Sequence, residues 1–485
     1  MNILKELNPN SVFKFFEQIS AIPRGSMEEQ QVSNWLVNFA KKRNLQVFQD
    51  NEYNVIIKKP ASDDCDQMPG LIIQSHMDMV NEKNKGVSHD FTKDPLKLYI
   101  DGDFIKAKDT TLGADNGIAV AMSLAILDGN YTHPPISCLF TTNEESGMTG
   151  AKSVDPSLFK DYNYLINLDT DKEGEFTVGC AGGIRHSLQI PVTYINIPQE
   201  GYVSYLIYVK GLCGGHSGGD IDKNLANANR LMGRTLENIF RNEDVFLSYI
   251  EGGAKENAIP REALAQVIIP LDFEDNFNNI IKSLQLIFKN EYDQWEPNLT
   301  LITEKNKIPP KCFTKETTEH IILALMITPN GTLNKDKNGN VVSSSNIGVV
   351  KTTEEHVTIF SLSRSNIKTQ SEFMSRQIIC LADATNSNYN IISQNPPWEP
   401  KKESKLVDIC TDVYKKTYNK DALITTTHGG LECGILYEKM PHLDIISFGP
   451  NNYNLHTPQE QLSISSSKRV FEFLLSVLEA LATEA

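Results

Sequence analysis

Short apolar runs alternate with segments of helical periodicity in the first third of the chain. The apolar runs are Gly70–Gln74, Ile136–Phe140 and Tyr164–Leu168, and helical patterns at Glu28–Lys42 and Gly117–Leu127 predict helices before and between them. Continuous apolar runs of this length are typical of parallel strands buried on both faces. The pattern therefore predicts an α/β domain with a mixed, mostly parallel sheet flanked by helices.

The middle of the chain continues to alternate strands and helices but lacks clustered metal-ligating residues. Tyr202–Val209 is typical of a strand and Lys223–Phe240 of a helix. A chain of 485 residues exceeds the limit of about 250 to 300 residues for one hydrophobic core. We therefore expect an inserted α+β domain over residues 185–394.

The Pro-rich segment Asn395–Pro400 interrupts any regular element and marks a crossing between domains. Beyond it, Asp444–Phe448 predicts another strand and Ser466–Leu481 a closing helix. These elements resume the first pattern, so residues 1–184 and 395–485 are predicted to form one discontinuous catalytic domain, with residues 185–394 as its lid.

The amino-acid composition limits the kinds of molecule that this protein is expected to bind. The formal charge of −15 and pI near 5.2 oppose binding to nucleic acid or to an anionic membrane, which favours a small substrate. No apolar run approaches the roughly 18 residues that cross a bilayer. The N-terminal residues lack a signal-peptide core, and the eight cysteines follow no disulfide or zinc-ribbon spacing. A cytoplasmic protein with reduced cysteines is expected.

Metal-ligating side chains occur at or just after the apolar runs. The segments that carry them are Ser75–Asp78, Gly113–Asn116, Asn143–Ser146, Leu168–Thr170 and Leu455–Pro458. In open α/β sheets, ligands bind beyond the carboxyl ends of the strands, where these residues would meet. The arrangement predicts a site for two divalent cations and a metal-dependent hydrolase.

The spacing within these segments suggests separate tasks. His76 and Asp78 are two apart at a strand end, so both side chains point the same way and one can orient the other for metal binding. The adjacent Glu144 and Glu145 point differently, so one can bind metal while the other transfers protons. Asp115, in a Gly-flanked turn, is placed to bridge two cations.

Electrostatics supports the need for cations. Asp115, Glu145 and Asp169 packed within about 4 Å would repel by about 4 kcal/mol per pair at an effective dielectric of about 20. Two divalent ions would neutralise them and could lower the pKa of a bound water to about 7. Hydroxide would then be available at neutral pH.

These residues resemble the di-zinc exopeptidase family that includes glutamate carboxypeptidase, aminoacylase and bacterial dipeptidases, and most closely its aminoacyl-histidine dipeptidase branch. The resemblance extends over almost the full length. The matching segments, in order, are Ile22–Arg24, His76–Asp78, Leu112–Gly117, Glu144–Glu145, Gly179–Gly183, Gly214–Gly219, Asn257–Glu262, Gly430–Gly434 and His456–Pro458.

The resemblance implies a ligand set for two zinc ions. His76 and Asp169 would hold one ion. Glu145 and His456 would hold the other, and Asp115 would bridge the two. Zinc is the expected metal, with cobalt and manganese as alternatives, and Asp171 remains a competing ligand to Asp169.

The resemblance also implies the chemistry. Glu144 would act as general base and later as acid, and Asp78 would orient His76. The expected reaction is hydrolysis of dipeptides, either Xaa-His or of broad specificity, by a water that two metal ions activate. In the lid, His216 would reach the oxyanion, and Asn257 and Arg364 would bind the substrate carboxylate.

Backbone groups at Gly430 would line the pocket. Arg364 could equally form a surface salt bridge instead of binding substrate.

Alternatives within the family are a deacylase and a tripeptidase. A further alternative is a metal-bound binding protein without turnover. A serine hydrolase is also conceivable, because Gly215–Gly219 places Ser217 in a G-x-S-x-G pattern. A homodimer is an open option for the assembly.

Overall fold

The computed structural model describes residues 3–197, 200–241 and 245–483. Over these residues the chain forms the following α-helices: α1 (Asn10–Ile19), α2 (Gln30–Lys41), α3 (Ala114–Asp128), α4 (Thr149–Ser153), α5 (Ala228–Phe240), α6 (Glu274–Tyr292), α7 (Lys315–Ile327), α8 (Lys368–Ala384), α9 (Lys405–Tyr418), α10 (Glu432–Lys439) and α11 (Ile464–Thr483).

The same residues form strands in several sheets. They are β1 (Gln46–Gln49), β2 (Val55–Lys59), β3 (Gly70–His76), β4 (Leu98–Asp101), β5 (Phe104–Ala107), β6 (Ile136–Thr141), β7 (Tyr162–Asn167), β8 (Glu175–Cys180), β9 (Gly182–Pro191), β10 (Tyr194–Asn196), β11 (Tyr202–Lys210), β12 (Gly215–His216), β13 (Phe246–Gly252), β14 (Ala258–Ile259), β15 (Ala263–Pro270), β16 (Thr300–Asn306), β17 (Lys311–Phe313), β18 (Gly331–Lys335), β19 (Val341–Thr352), β20 (His356–Ser365), β21 (Asn388–Asn395), β22 (Leu423–Thr427), β23 (Asp444–Ser447), β24 (Asn452–Tyr453) and β25 (Gln461–Ser463).

The chain divides into two compact units. The first holds the residues up to Cys180, residues 398–427 and those from Leu431 onward, and the second holds Ala181–Pro397 and His428–Gly430. The domain bounds derived from the sequence, and the catalytic and lid roles attached to them, stay predictions.

The first unit is built on an eight-stranded sheet with the order β1-β2-β6-β3-β7-β23-β8-β22. The four central strands β6, β3, β7 and β23 run parallel to their neighbours in this group. Side chains alternate between two cores, so Leu71 and Ile73 pack on one face while Ile72 packs on the other. Both faces are covered, and the predicted α/β class with its mostly parallel sheet is confirmed.

The helix α3 lies inside the larger core of this unit. From Gly117 to Leu127 its residues are buried, and α1 packs against it. A helix that is apolar all round belongs in an interior rather than at a surface. This burial fixes the position of the Gly113–Asp115 turn at the start of α3.

The largest sheet of the second unit is antiparallel, and two equivalent motifs supply its strands apart from β18, which pairs with β19. The elements β11, α5, β13, β15, α6 and β16 form a βαββαβ motif with the strand order β16-β11-β15-β13. The elements β9, α7, β19, β20, α8 and β21 form the same motif, ordered β19-β20-β9-β21. Numbered within each half and read from the outer edge of the sheet toward its middle, both orders are 4-1-3-2.

The two halves meet through their equivalent second strands. The junction between β13 and β19 is short and has Gly252 paired with Val350. One half interrupts the other in the chain, because β9 precedes the complete first motif and α7 follows it. The antiparallel pair β10 and β17 lies at the two ends of this interruption, with Ile195 opposite Cys312.

One helix begins later than its periodicity predicts. The predicted start was Lys223, but α5 begins at Ala228 because the side chain of Asn227 accepts a hydrogen bond from the Arg230 N–H and caps the helix. Within the described ranges, no helix combines the length and the apolar composition that a bilayer crossing requires.

Candidate metal centre

His76 is fixed in orientation by Asp78. The His76 side chain, at the end of β3, is 1 % exposed, and its Nδ1 lies 3.2 Å from Asp78 Oδ1, whose side chain is fully buried. An Nδ1–H that donates to this carboxylate leaves Nε2 free to bind a metal.

Asp78 also fixes the turn that carries the two glutamates. Its Oδ1 accepts the backbone N–H of Glu144 at 3.0 Å, and its Oδ2 accepts that of Glu145 at 3.3 Å. Oδ2 also accepts a hydrogen bond from Ser26 Oγ at 2.8 Å. One buried carboxylate therefore positions an imidazole and a pair of acids together.

Asp115 lies between two histidines. Its Oδ1 is 3.0 Å from His76 Nε2, and its Oδ2 is 3.2 Å from His456 Nε2. Asp169 Oδ1 lies 3.4 Å from the same nitrogen of His76, and Glu145 Oε1 lies 2.9 Å from that of His456. Each histidine therefore has a carboxylate of its own and shares Asp115 with the other.

The donor set fits two divalent cations. His76, Asp115 and Asp169 form one group whose ligand atoms lie within 4.8 Å of one another, and Asp115, Glu145 and His456 form another. Each group offers one imidazole nitrogen and two carboxylates, a set that zinc accepts. Glu144 also lies within this distance of His76 and Glu145, in a third group.

The imidazoles in this cluster have raised pKa values. Burial alone would lower the pKa of His76, but Asp169, Asp115 and Asp78 together raise it well above its ordinary value. Hydrogen bonds with Asp115 and Glu145 raise the pKa of His456 to about 11. The carboxylates therefore act on the histidines as a strong negative field, which is the field that a cation would neutralise.

Burial has the opposite effect on most of the acids. It raises the pKa of Glu144 well above its ordinary value, and the nearby charges of Asp169 and Glu145 add to the effect. Burial likewise raises the pKa of Asp169 to about 6. For Asp115 the hydrogen bonds from His456 and His76 outweigh burial, so its pKa is lowered. Asp115 is thus the acid most strongly held in its ionised form.

The two candidate aspartates after β7 differ in their surroundings. Asn116 Nδ2 donates to Asp169 Oδ1 at 2.8 Å and to the Leu168 carbonyl at 2.8 Å, which holds Asp169 against the cluster. Asp171 belongs to no candidate metal group among the described residues. Burial, followed by the charges of Asp115 and Asp169, raises the pKa of Asp171 to about 8.

Glu460 holds the loop that carries Asp115, a role that the sequence did not reveal. Its carboxylate accepts the backbone N–H groups of Leu112, Gly113 and Ala114, each at 2.8 Å, and that of Asp115 at 3.2 Å. The only available signal was its place four residues after His456, where it ends the His-Thr-Pro-x-Glu segment.

Arg24 braces the same loop from the other side. Its guanidinium donates to the carbonyls of Met77 at 3.1 Å, Asp78 at 3.2 Å and Gly113 at 2.5 Å. Burial lowers the pKa of Arg24 to about 10. Gly113 has φ 65°, and a Cβ there would lie 2.6 Å from Arg24 Nη2, so both the conformation and the contact require glycine.

Glu432 lies in a buried polar network that is linked to the end of β3. Gln74 Nε2 donates to its Oε2 at 2.6 Å and Thr141 Oγ1 donates to the same atom at 2.5 Å. Gln74 Oε1 in turn accepts from Asn167 Nδ2 at 2.5 Å. Burial raises the pKa of Glu432 to about 8. The sequence marked Glu432 only as part of a matching segment.

The remaining predicted site residues belong to the second unit. His216 Nδ1 accepts the backbone N–H groups of Gly218 at 3.3 Å and Gly219 at 3.1 Å. A Cβ on Gly218 would lie 3.1 Å from His216 Cε1 and 3.4 Å from Arg364 Cζ, so the imidazole and the guanidinium border the same glycine. Asn257 lies beside them, because its carbonyl accepts the Ser217 N–H at 2.9 Å. Gly430 is exposed.

The environment of Ser217 does not match that of an activated nucleophile. Its hydroxyl is buried and has no hydrogen-bond partner among the described residues. A nucleophilic serine needs a base within hydrogen-bond reach. The serine-hydrolase alternative therefore has no support in this geometry.

Comparison with known proteins places this geometry in a family. The profile described as Peptidase family M20/M25/M40 matches residues 72–480. The chain belongs to this family. The cytosol non-specific dipeptidase of Escherichia coli (strain K12) is 36 % identical over 482 residues, which covers 99 % of each chain. The predicted family resemblance is thereby confirmed.

Two solved structures agree with this chain in fold. The aminoacylhistidine dipeptidase of Vibrio alginolyticus superposes with a TM-score of 0.90 at 35 % identity and 98 % coverage of both chains. The aminopeptidase PepT of Bacillus cereus ATCC 10987 superposes with a TM-score of 0.56 at 16 % identity, over 98 % of this chain and 100 % of that one. The second likeness concerns the fold alone.

Proposed function

We propose that this member of the M20/M25/M40 family is a metal-dependent dipeptidase. The observation that carries the proposal is the position of Asp115, whose two oxygens face His76 and His456 in two adjoining donor groups. The full-length similarity to proteins named as dipeptidases supports the choice of substrate.

The proposed ligands are those of the two donor groups. His76 and Asp169 would hold one ion, Glu145 and His456 the other, and Asp115 both. Nitrogen and carboxylate donors in these numbers favour zinc. Bound divalent ions would supply the positive charge that polarises a peptide carbonyl and makes a water more acidic.

Glu144 is the proposed general base and acid. It is half-buried beside the donor groups, and its side chain has no hydrogen bond to a histidine among the described contacts, unlike that of Glu145. Glu144 would take a proton from the attacking water and return it to the leaving amine. Asp78, through its bond to the Glu144 N–H, would keep the carboxylate aligned.

A substrate-binding role is proposed for the second unit, in keeping with the lid predicted over residues 185–394. His216, Asn257 and Arg364 are proposed to bind the oxyanion and the carboxylate of the peptide, and Gly430 to offer backbone groups. Arg364 supports this role, because a half-buried guanidinium without an acidic partner among the described residues is suited to a substrate anion.

We place the protein in the cytoplasm with a small peptide as its partner. The similarity to a relative that is named as cytosolic supports the location. The net charge of −15 disfavours polyanionic partners, and a short peptide does not require a basic surface.

The test is product analysis with the zinc-loaded protein on a dipeptide set, matched tripeptides and N-acetyl amino acids. Dipeptides should be cleaved fastest, and a chelator should abolish turnover until zinc is restored. Faster cleavage of tripeptides or of N-acetyl amino acids would replace the proposal with a tripeptidase or a deacylase. Turnover that resists the chelator would exclude metal dependence.

A further inference from the structure

His428 lies in the second unit and contacts β19. This strand pairs with β20, which carries Arg364. Its Nε2 is 2.7 Å from Ser344 Oγ. Ser344 on β19 is the cross-strand partner of Arg364 on β20. Directly opposite residues of antiparallel strands project to the same face of a sheet, so Ser344 links the imidazole to the face that carries Arg364.

His428, Ser344 and Arg364 form a cluster in which two nitrogens have no hydrogen-bond partner among the described residues. His428 Nδ1 and Arg364 Nε are both buried, and neither finds an acceptor among the described residues. Buried polar groups of folded proteins are nearly always paired, so two neighbouring unpaired nitrogens indicate that a ligand supplies the acceptor.

The tautomer of His428 follows from its neighbour. A neutral imidazole has one donor and one acceptor nitrogen. If the Ser344 hydroxyl donates to Nε2, the proton resides on Nδ1, which is then a donor. Burial, followed by the charge of Arg364, lowers the pKa of His428 to about 4, so the ring is neutral at pH 7.

The charge of the cluster selects the ligand. Burial and the charge of Arg364 also lower the pKa of His216, which leaves Arg364 as the cation among these three side chains. One positive charge beside neutral N–H donors matches a singly charged, planar acceptor. The free carboxylate of a short peptide has this chemistry.

We propose that His428 is a specificity-determining residue whose Nδ1–H donates to the C-terminal carboxylate of the substrate, beside Arg364. The inference rests on the proposed dipeptidase function and deepens it. Nothing in the sequence pattern singled out His428. Its role would be to favour peptides with a free carboxyl end over those whose end is blocked.

The experiment uses two substitutions that each retain one side of the ring. In His428→Gln the amide nitrogen replaces Nε2, so the contact with Ser344 can persist while the donor at Nδ1 is lost. In His428→Asn the amide nitrogen replaces Nδ1 instead. The zinc-loaded proteins are compared on L-alanyl-L-alanine and on its C-terminal amide, and kcat and KM are determined for each.

For His428→Gln we expect the ratio of kcat/KM on the free peptide to that on the amide to fall about tenfold to a hundredfold, as expected for loss of a hydrogen bond to a charged group, mainly through KM. His428→Asn should recover part of the ratio. His320→Gln, which changes a histidine on α7, is the matched control and should leave the ratio as in the wild type. Ser344→Ala should lower the ratio less than His428→Gln.

Zinc content and melting temperature show whether each variant is folded. If both peptides lose kcat/KM equally, or if His428→Gln keeps the wild-type ratio, the inference is wrong while the dipeptidase proposal stands. If the wild-type protein cleaves neither peptide, nor any other dipeptide, the proposed function fails and the inference fails with it. A misfolded His428→Gln protein leaves the decision to Ser344→Ala, whose unchanged ratio would also contradict the inference.

Discussion

Two adjacent acids, Glu144 and Glu145, have different environments although they are chemically alike. Glu145 Oε1 lies 2.9 Å from His456 Nε2, whereas the Glu144 side chain has no hydrogen bond to a histidine among the described contacts. Asp78 accepts the backbone N–H of both residues. Burial raises the pKa of both side chains, and that of Glu144 is raised well above its ordinary value. The two acids therefore have different surroundings within one turn, as the proposed ligand role of Glu145 and the proposed proton-transfer role of Glu144 require.

This separation predicts different outcomes for the two amide variants. Glu144→Gln should lower kcat by about 10² to 10⁴, the usual contribution of general acid–base catalysis, while zinc content stays at the wild-type level. Glu145→Gln should lower both zinc affinity and kcat. Metal analysis and steady-state kinetics on one dipeptide check both statements. Loss of zinc from Glu144→Gln, or full turnover by it, would contradict the assignment.

Burial of Glu432 should make the free energy of unfolding of the metal-free protein depend on pH. Its pKa in the folded chain is about 8, against an ordinary value of 4.5, so the folded state binds more protons than the unfolded state between these values. The free energy of unfolding should therefore decrease as pH rises from about 4.5 through 8.

The Glu432→Gln variant isolates this contribution, because its amide mimics the protonated acid and can still accept from Gln74 and Thr141. The urea midpoint of the metal-free wild type should fall more between pH 5.5 and 8.5 than that of the variant. Parallel pH profiles of the two proteins would show that Glu432 does not titrate in this range.

At the level of single residues, the sequence indicated those that lie in short, recognisable motifs. His76, Asp115, Glu145 and His456 were all indicated by a strand end or a Gly-flanked turn, and the structure brings them together. His428 and Glu432 could not be assigned a role in this way. Their environments depend on contacts with residues that are distant in sequence, such as Ser344 and Gln74.

The loop before α3 and the segment after β24 form one supporting element for the candidate centre. Glu460 accepts the N–H groups of four successive residues in that loop, and the same segment carries His456. Consecutive N–H groups of this kind form an anion-binding concavity. Here the occupant is a side chain of the protein itself.

We therefore expect Glu460→Gln to weaken metal binding although it replaces no proposed ligand. An amide offers one acceptor oxygen where the carboxylate offers two, so part of the loop would lose its partner. We expect metal affinity to fall by about tenfold to a hundredfold, the usual effect of a residue that supports a ligand. Zinc titration with a competing chelator measures it.

The control is Glu479→Gln, which changes an exposed glutamate on α11 and should leave the affinity as in the wild type. A recognisable absorption spectrum of the cobalt-substituted protein would report separately on ligand geometry. Unchanged affinity and spectrum in Glu460→Gln would show that the loop holds its shape without this carboxylate.

Helices and strands could be predicted where the spacing of apolar residues within the segment itself indicates the element. The central strands of the first unit were found because they are buried on both faces, and α11 was found from its apolar stripe. The start of α5 was misplaced by five residues, from Lys223 to Ala228, because a side-chain cap at Asn227 outweighs the pattern. The equivalence of the two βαββαβ halves was not visible, since strand order depends on pairing between distant segments.

On the scale of the whole molecule, the two units have separate hydrophobic cores. One core groups residues such as Leu71 and Ile126, and another groups residues such as Ile207 and Leu236. All proposed metal ligands belong to the first unit. Ligand binding to a folded state stabilises the part that forms the site.

Calorimetry should therefore resolve two transitions, of which zinc shifts mainly one. Free zinc at about 1,000 times its dissociation constant adds about 4 kcal/mol for each bound ion to the free energy of unfolding of the unit that binds it. Magnesium at the same concentration is the control, because it binds nitrogen ligands poorly. A single transition that zinc shifts as a whole would contradict this expectation.

The pairing of β10 with β17 brings together the two ends of a long chain segment, which bears on how that segment could be inserted or deleted in evolution. Residues 197–310 depart from Asn196 and return at Lys311, two residues that face each other in one ladder. A tight reverse turn could close that gap of about 5 Å. A single in-frame genetic event could therefore delete or acquire the strands β11 to β16 together with α5 and α6, while leaving β9, α7, β19, β20, α8 and β21 continuous.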